Sequence, residues 1–314
     1  MSGSSDVTTV EEIQGEFKRQ EDRFRDWVTD DGSSAYPAAA GRYHLYVSLA
    51  CPWAHRTLIA RRLKGLEEII GVTVVDPLRD GRGWAFTDEP DPVNGFRFLS
   101  EVYSASDPQY KGRVTVPVLF DKESNRIVNN SEIDIVRMFN GAFGEWDTGD
   151  VDLYPEPLRG EIDALDDLIY PNINNGVYRS GFAETQAAYE AGVVPLFVAL
   201  DELEERLEVR RYLCGSQITE ADWKLFVTLV RFDAVYYVHF KCNMRRIAEY
   251  KNLWAYLRDL YQQPGIAETV NMDHIKRHYY MTHDDINPFS IVPLGPRDLD
   301  FMAVHGREKV GTGL

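Results

Sequence analysis

Between residues 43 and 140, short apolar runs of strand-like composition alternate with helical stripes; beyond residue 158 the strand-like runs stop. This break in periodicity restricts the chain to an α/β layer followed by an all-helical body. Residues 43–49 (YHLYVSL) read as a strand, and 52–64 as a helix with Leu58, Ile59 and Leu63 on one face. A second strand spans 71–75, and a polar, glycine-rich insertion runs from 77 to about 109. Residues 116–120 and 126–128 then form a hairpin across an Asp-Lys-Glu-Ser-Asn turn, and 132–140 closes the layer as a helix. The acidic, proline-containing stretch 145–157 suits a linker. Helical period follows over about 158–170, 184–208, 220–239, 249–261 and 271–280, and the next β-rich run is the short 290–292. The expected division is an extension 1–40, an α/β domain 41–146, a linker 147–157, a helical domain 158–285 and a tail 286–314 packed on the core. Phe17, Phe24 and Trp27 are the groups expected to anchor the extension.

Composition narrows the function. A chain of 314 residues suits about two domains, and 44% hydrophobic with 27% charged residues is ordinary soluble protein rather than a disordered or collagen-like chain. The net charge of −16 repels phosphate backbones, so no nucleic-acid partner is expected; the basic cluster 241–246 reads as a solvated helix end. Three cysteines are too few, and too odd in number, for a disulfide framework, which points to a reducing, cytoplasmic location. The polar, acidic start carries no signal-peptide pattern, and the longest apolar run, 191–200, falls short of the roughly 20 residues a spanning helix needs. No membrane association is expected.

The sharpest chemical signal is Leu49-Ala50-Cys51-Pro52-Trp53-Ala54-His55-Arg56. Cys51 sits where a strand hands over to a helix, and Pro52 occupies the first turn, where its missing N–H costs nothing. The free N–H groups and positive end of the helix dipole are expected to favour the thiolate, with Arg56 adding positive potential. The plainer alternative is a buried structural cysteine. Residue 54 is alanine, so the Cys-x-x-Cys arrangement is absent and a disulfide at Cys51 must be resolved by an outside thiol.

Three further features sharpen the pattern. In Arg113-Val114-Thr115-Val116-Pro117, a cis Val-Pro would leave the Val116 backbone open to a cysteinyl peptide; an ordinary edge proline is the alternative. Asn129-Asn130-Ser131-Glu132 leads a strand into a helix, either as a carboxylate site or as a plain cap. Thr219-Glu220-Ala221-Asp222 has the form of a capping box, a marker of fold rather than a site. His274, His278 and His283 lack the acidic residue of a zinc-protease motif, and no metal is expected.

Together these pieces resemble the glutathione transferase superfamily, with a thioredoxin-like N-terminal domain and an all-α C-terminal domain. CPWAHR, RVTVPVL, IVNN, PNINNGVYRSGFA (171–183) and HYY…INPFSIVPLGP (278–296) resemble, more narrowly, the xi class, the glutathionyl-hydroquinone reductases. The resemblance implies attack of a cysteine thiolate on the sulfur of an S-glutathionyl hydroquinone, giving a mixed disulfide and free hydroquinone, then release by a second glutathione. It implies Cys51 as nucleophile, Tyr178 as proton donor, Tyr236 and Tyr279 as thiolate-stabilising, and Trp84, Arg113 and Val116 as thiol-binding, with a homodimeric assembly. Val114, Thr115 and Pro117 share the cofactor loop. Where the family reads Asn-Asn-Glu-Ser, this chain has Ser131 and Glu132 exchanged. That puts a negative charge where the cofactor's carboxylate is expected, and suggests glutathione held differently or another thiol such as mycothiol or γ-glutamylcysteine. Alternatives in function are an omega-like mixed-disulfide reductase or dehalogenase, and a non-catalytic binding module.

Overall fold

A computed structural model describes residues 14–17, 19–87, 89–149 and 151–311. Two short parallel strands, β1 (Val28–Thr29) and β2 (Tyr36–Pro37), lead to the main sheet. That sheet has the order β4-β3-β7-β8. Its centre is β3 (Tyr43–Val47), buried along its whole length because it has neighbours on both sides. β4 (Gly71–Val74) runs parallel to it and is joined to it through α1 (Pro52–Leu63), a right-handed crossover being the usual way to link parallel strands. A minor ribbon of β5 (Arg79–Asp80) and β6 (Gly83–Trp84) and the helix α2 (Leu99–Ser106) follow. β7 (Val118–Asp121) lies antiparallel to β3, with Leu45 opposite Leu119, and β8 (Arg126–Asn129) completes the hairpin. α3 (Glu132–Gly141) then packs on α1. This is the expected thioredoxin-like layer.

The insertion 77–109 is not the irregular loop that its polar, glycine-rich composition suggests. Leu99, Val102, Tyr103 and Ser106 bury one stripe of α2, and Glu101 Oε2 caps it by accepting the Arg97 and Phe98 N–H groups, both at 2.8 Å. Trp27 also departs from expectation: it is 40% exposed, whereas Phe24 packs edge-on against Tyr103 and Phe17 stacks on Tyr178 and Phe182. Residues 1–13 of the expected extension lie outside the described residues. The β-rich run 290–292 is irregular backbone, with Ser290 at φ 51°.

The second half is helical: α4 (Arg159–Ile169), α5 (Gly176–Gly181), α6 (Gln186–Val209), α7 (Glu220–Arg231), α8 (Lys251–Tyr261) and α9 (Met272–Thr282). α7 is its axis, with every residue buried. The capping box forms: the Thr219 N–H donates to Asp222 Oδ2 at 2.8 Å, while Asp222 Oδ1 accepts from Leu213 N–H and Tyr256 O–H. α4 and α7 each run on into a π-helical turn, at Tyr170–Asn174 and Phe232–Tyr236. Such turns re-aim side chains and are often found at functional sites. The short α5, which periodicity does not reveal, sits tightly on α6; a Cβ at Gly192 would stand 2.8 Å from the Ser180 nitrogen. That approach fixes Tyr178.

Candidate active site

Cys51 is the N-cap of α1, extended at φ −74°, ψ 122°, with its carbonyl accepting the His55 N–H at 3.0 Å. Its half-buried Sγ stands 3.6 Å from the Val116 carbonyl oxygen, beside the cis Val116–Pro117 bond that the sequence pattern anticipated. The Tyr103 hydroxyl holds this loop by donating to the Thr115 carbonyl at 2.9 Å. From behind, Arg231 of α7 donates to the carbonyls of Ala50 (3.0 Å), Leu49 (3.2 Å) and Val227 (2.7 Å). Cys214 and Cys242 are free and buried, so Cys51 is bridged to neither.

The electrostatics correct one expectation. Burial pushes the Cys51 thiol above its ordinary value and outweighs the Ala54 N–H, the Arg231 guanidinium, the Trp53 N–H and the Arg19 guanidinium, which all pull it down. The helix-end argument identified a real favourable effect and omitted the larger opposing one. Arg56 is not among the charges that act on the sulfur: its Nη1 pairs with Glu132 at 2.6 Å and its Nη2 donates to Asn174 Oδ1 at 2.8 Å. Alkylation of Cys51 by iodoacetamide is therefore expected to accelerate with pH beyond the free-thiol value of about 8.5 without levelling off. Cys214 and Cys242, pushed up by burial to about 11 and about 12, should react later still. Peptide mapping by mass spectrometry reads each site, and a plateau for Cys51 below neutral pH would contradict an upward shift.

Cys51 opens into a cavity of about 1940 Å³, larger than the roughly 300–1,000 Å³ of an ordinary small-ligand pocket. Trp84, Arg113, Val114, Thr115, Val116, Pro117, Glu132, Tyr178 and Tyr279 line it with Cys51. Two expected residues do not: Ser131 is buried, its N–H taken by Asn129 Oδ1 at 2.7 Å, and Tyr236 is fully buried behind Tyr279. The three tyrosines nevertheless form one chain, with the Tyr279 hydroxyl bonded to that of Tyr178 and, at 3.0 Å, to that of Tyr236. Burial raises all three phenols above the ordinary value, so they keep their protons. The Tyr178 ring packs 5.2 Å from that of Trp53, two residues after the cysteine.

Sequence reasoning missed several cavity residues. Residues 15–17 and 19–22 line the opening: Gln20 Oε1 accepts the Arg113 N–H at 2.9 Å, and the Arg19 guanidinium stacks 4.0 Å over Trp53 while donating to Asn175 Oδ1. Asp22 faces Glu132, and burial together with that charge pushes its carboxyl up to about 6. Arg79 and His278 line the same space. Only a positively charged, polar run (FKRQEDRFR) hinted at the first of these. His278 Nδ1 lies 2.8 Å from the Pro77 carbonyl and His283 Nδ1 lies 3.1 Å from His239 Nε2. Among the described residues no group of three or more His, Cys, Asp or Glu is placed to hold a metal ion.

Comparison with known proteins gives the same outline. The glutathione S-transferase N-terminal domain matches residues 50–141 and the C-terminal domain residues 186–259. The glutathionyl-hydroquinone reductase YqjG of Escherichia coli is 51% identical over 306 residues, covering 94% of this chain and 93% of the relative. PcpF of Sphingobium chlorophenolicum, also a glutathionyl-hydroquinone reductase, is 50% identical over 90% of each chain. Among solved structures, a xi-class glutathione transferase from Natrialba magadii superposes with a TM-score of 0.89 at 54% identity, over 90% of this chain and 88% of that one. The glutathione-bound structure of YqjG gives a TM-score of 0.89 at 50% identity, over 91% and 96%.

Proposed function

The chain belongs to the glutathione transferases, among them to the xi-class glutathionyl-hydroquinone reductases, and from that premise we propose that it reductively removes the thiol group from S-conjugated hydroquinones through a mixed disulfide on Cys51. The observation carrying this reading is one accessible cysteine, at a helix N-cap beside the Val116 carbonyl of a cis Val-Pro bond, in a cavity lined by two linked phenols, Tyr178 and Tyr279, that Tyr236 backs from behind, with both other cysteines buried.

The proton balance suits a thiol whose pKa is raised. The cysteine sulfur attacks the conjugate sulfur, the carbon–sulfur bond breaks, and the ring carbon gains a proton. Summed, E–SH plus GS–Ar gives E–S–SG plus H–Ar. The thiol proton is thus accounted for on the product, and no net charge enters the buried site. Tyr178, protonated and within the cavity, is the donor to carbon; the proton given up by Cys51 restores it, and Tyr279, bonded in turn to Tyr236, holds the phenol oxygen meanwhile. In the second half-reaction, an incoming glutathione thiol attacks the mixed disulfide; glutathione disulfide leaves and the Cys51 sulfur recovers a proton. Over the whole cycle one thiol sulfur and the conjugate's thioether sulfur are oxidised to the disulfide, and one aryl carbon is reduced.

We read the thiol as glutathione. The exchanged Glu132 does not leave a bare negative charge at the α3 terminus, because Arg56 pairs with it. Trp84, Arg113 and Arg79 line the cavity where a peptide carboxylate needs a cation, and the Val116 backbone beside Cys51 suits a cysteinyl main chain. The division into an α/β domain at 41–146 and a helical domain at 158–285 belongs to this reading. The three free cysteines support a reducing cytoplasm, and among the described residues no helix is long and apolar enough to cross a membrane. Exposed Phe289, Ile291 and Leu294 in the tail support a homodimer, which sedimentation velocity reads.

Product analysis tests the function. A glutathionyl hydroquinone with glutathione should give free hydroquinone and one glutathione disulfide per turnover, with mycothiol and γ-glutamylcysteine at least about tenfold slower in the second step. Formation of thioether from quinone, or a bound ligand with no turnover, would replace this reading by a transferase or a binding module.

A further inference from the structure

The cavity wall contains a group that no step above uses. His278 of α9 lines the cavity and is packed flat against Trp84, with ring centroids 5.0 Å apart and planes 25° apart. Its Nδ1 lies 2.8 Å from the Pro77 carbonyl oxygen. A carbonyl oxygen only accepts, so Nδ1 carries the hydrogen. Burial lowers this imidazole to about 4, so the ring is neutral at physiological pH and Nε2 presents a bare lone pair. That Nε2 has no hydrogen-bond partner among the described residues and is not among the atoms sealed from solvent. The tautomer is set by Pro77, the ring plane by Trp84, and the acceptor edge is left to whatever fills the cavity.

Thr282, Asp284 and Asp285 also line the cavity, but among the aromatic and cationic side chains around His278 none presents an acceptor whose tautomer is fixed. The hydroxyls of Tyr178, Tyr279 and Tyr236 are engaged with one another. His283 is engaged through Nδ1 with His239 Nε2, a contact between two ring nitrogens that does not fix the tautomer of either. Arg79, Arg113 and Arg19 donate only. An aromatic ligand bearing an O–H group therefore meets, in His278 Nε2, an acceptor already oriented for it.

Resting on the reductase reading, we propose that His278 Nε2 accepts a hydroxyl hydrogen from the bound hydroquinone conjugate, which makes His278 a specificity-determining residue that selects the reduced, hydroxyl-bearing ring. A hydroquinone supplies the donor. A quinone or an aryl ether presents only acceptors to that lone pair, so binding them leaves a buried acceptor unpaired, a loss of about 10- to 100-fold.

The test compares a glutathionyl hydroquinone with its O-methyl ethers in the full-length protein, by kcat/KM and by calorimetric titration of the Cys51→Ala variant, which reads the ratio without turnover. The wild type should prefer the free hydroquinone by about tenfold or more over the disfavoured ether. His278→Phe should bring the two within about threefold, through a higher KM for the hydroquinone, and His278→Gln, which restores an acceptor, should recover part of the preference. An unchanged preference in a His278→Phe protein that folds, or no preference in the wild type by either measurement, overturns the assignment. Failure of the reductase reading looks different: no conjugate is turned over, while the titration still reports the ratio.

Discussion

Replacing Cys51 by serine is expected to lower kcat for conjugate reduction by about 10⁴-fold or more, on the scale of removing a covalent nucleophile and equivalent to roughly 5.5 kcal/mol of barrier. The size of the effect follows from what remains. Serine presents a hydroxyl that neither forms a disulfide nor displaces an aryl group from sulfur. Cys214 and Cys242 are buried and pushed up by burial to about 11 and about 12, so neither substitutes for it. The cavity that holds the conjugate is untouched, because only one lining atom changes. Conjugate affinity should therefore stay within about threefold, and the loss should fall on kcat rather than KM. Mass spectrometry after incubation with conjugate alone should show a mixed disulfide on the wild type and none on Cys51→Ser. Substantial turnover by the serine variant would place the chemistry on another group and remove the mechanism.

How much of this is legible in the sequence depends on the range of the interaction concerned. Local rules find the strand–cysteine–helix corner, the hairpin, the cis proline and the capping box, because each is set by residues within a few positions of one another. α2 and α5 escape because eight and six residues carry barely two turns of periodicity. The thiol takes the wrong sign from local rules for a similar reason. Its favourable N–H groups are two and three residues away, whereas the burial that outweighs them comes from the fold as a whole. Arg56 belongs with the cysteine by proximity in the chain, yet Glu132, 76 residues on, takes it. Glu132 looks like an unmatched charge for the same reason. Arg231 carries no signal at all, and His278 is weighed only as a metal ligand and as part of the 278–296 stretch, since an arginine in a helix and a histidine in a helix are ordinary until the tertiary fold gives them carbonyls to face.

The second large effect concerns Arg231, 181 residues from the carbonyl it holds. Its side chain is fully buried, and none of the ion pairs among the described residues includes it. Three backbone carbonyls and His55 Nδ1, at 3.1 Å, satisfy it instead. A guanidinium has only donors, so His55 Nδ1 must be the acceptor and the Nε2–H donates to Thr269 Oγ1 at 2.7 Å. Burial lowers His55 well below its ordinary value and keeps it neutral, consistent with that direction. Arg231→Met keeps much of the volume but strands the Leu49 and Ala50 carbonyls immediately before the nucleophile. At about 1–3 kcal/mol for each buried group left unpaired, the loss of stability should be on the order of 3–5 kcal/mol. That is a fall in Tm of roughly 10 °C. The thiol should move as well. Arg231 is the leading charge pulling the Cys51 pKa down, so removing it should push the pH dependence of alkylation further up. Arg231→Lys keeps the charge without the planar fork, and should restore the alkylation profile better than it restores Tm. A merely structural arginine would move Tm alone; a variant whose Tm and alkylation profile both match the wild type would show that the corner holds Cys51 without help from α7.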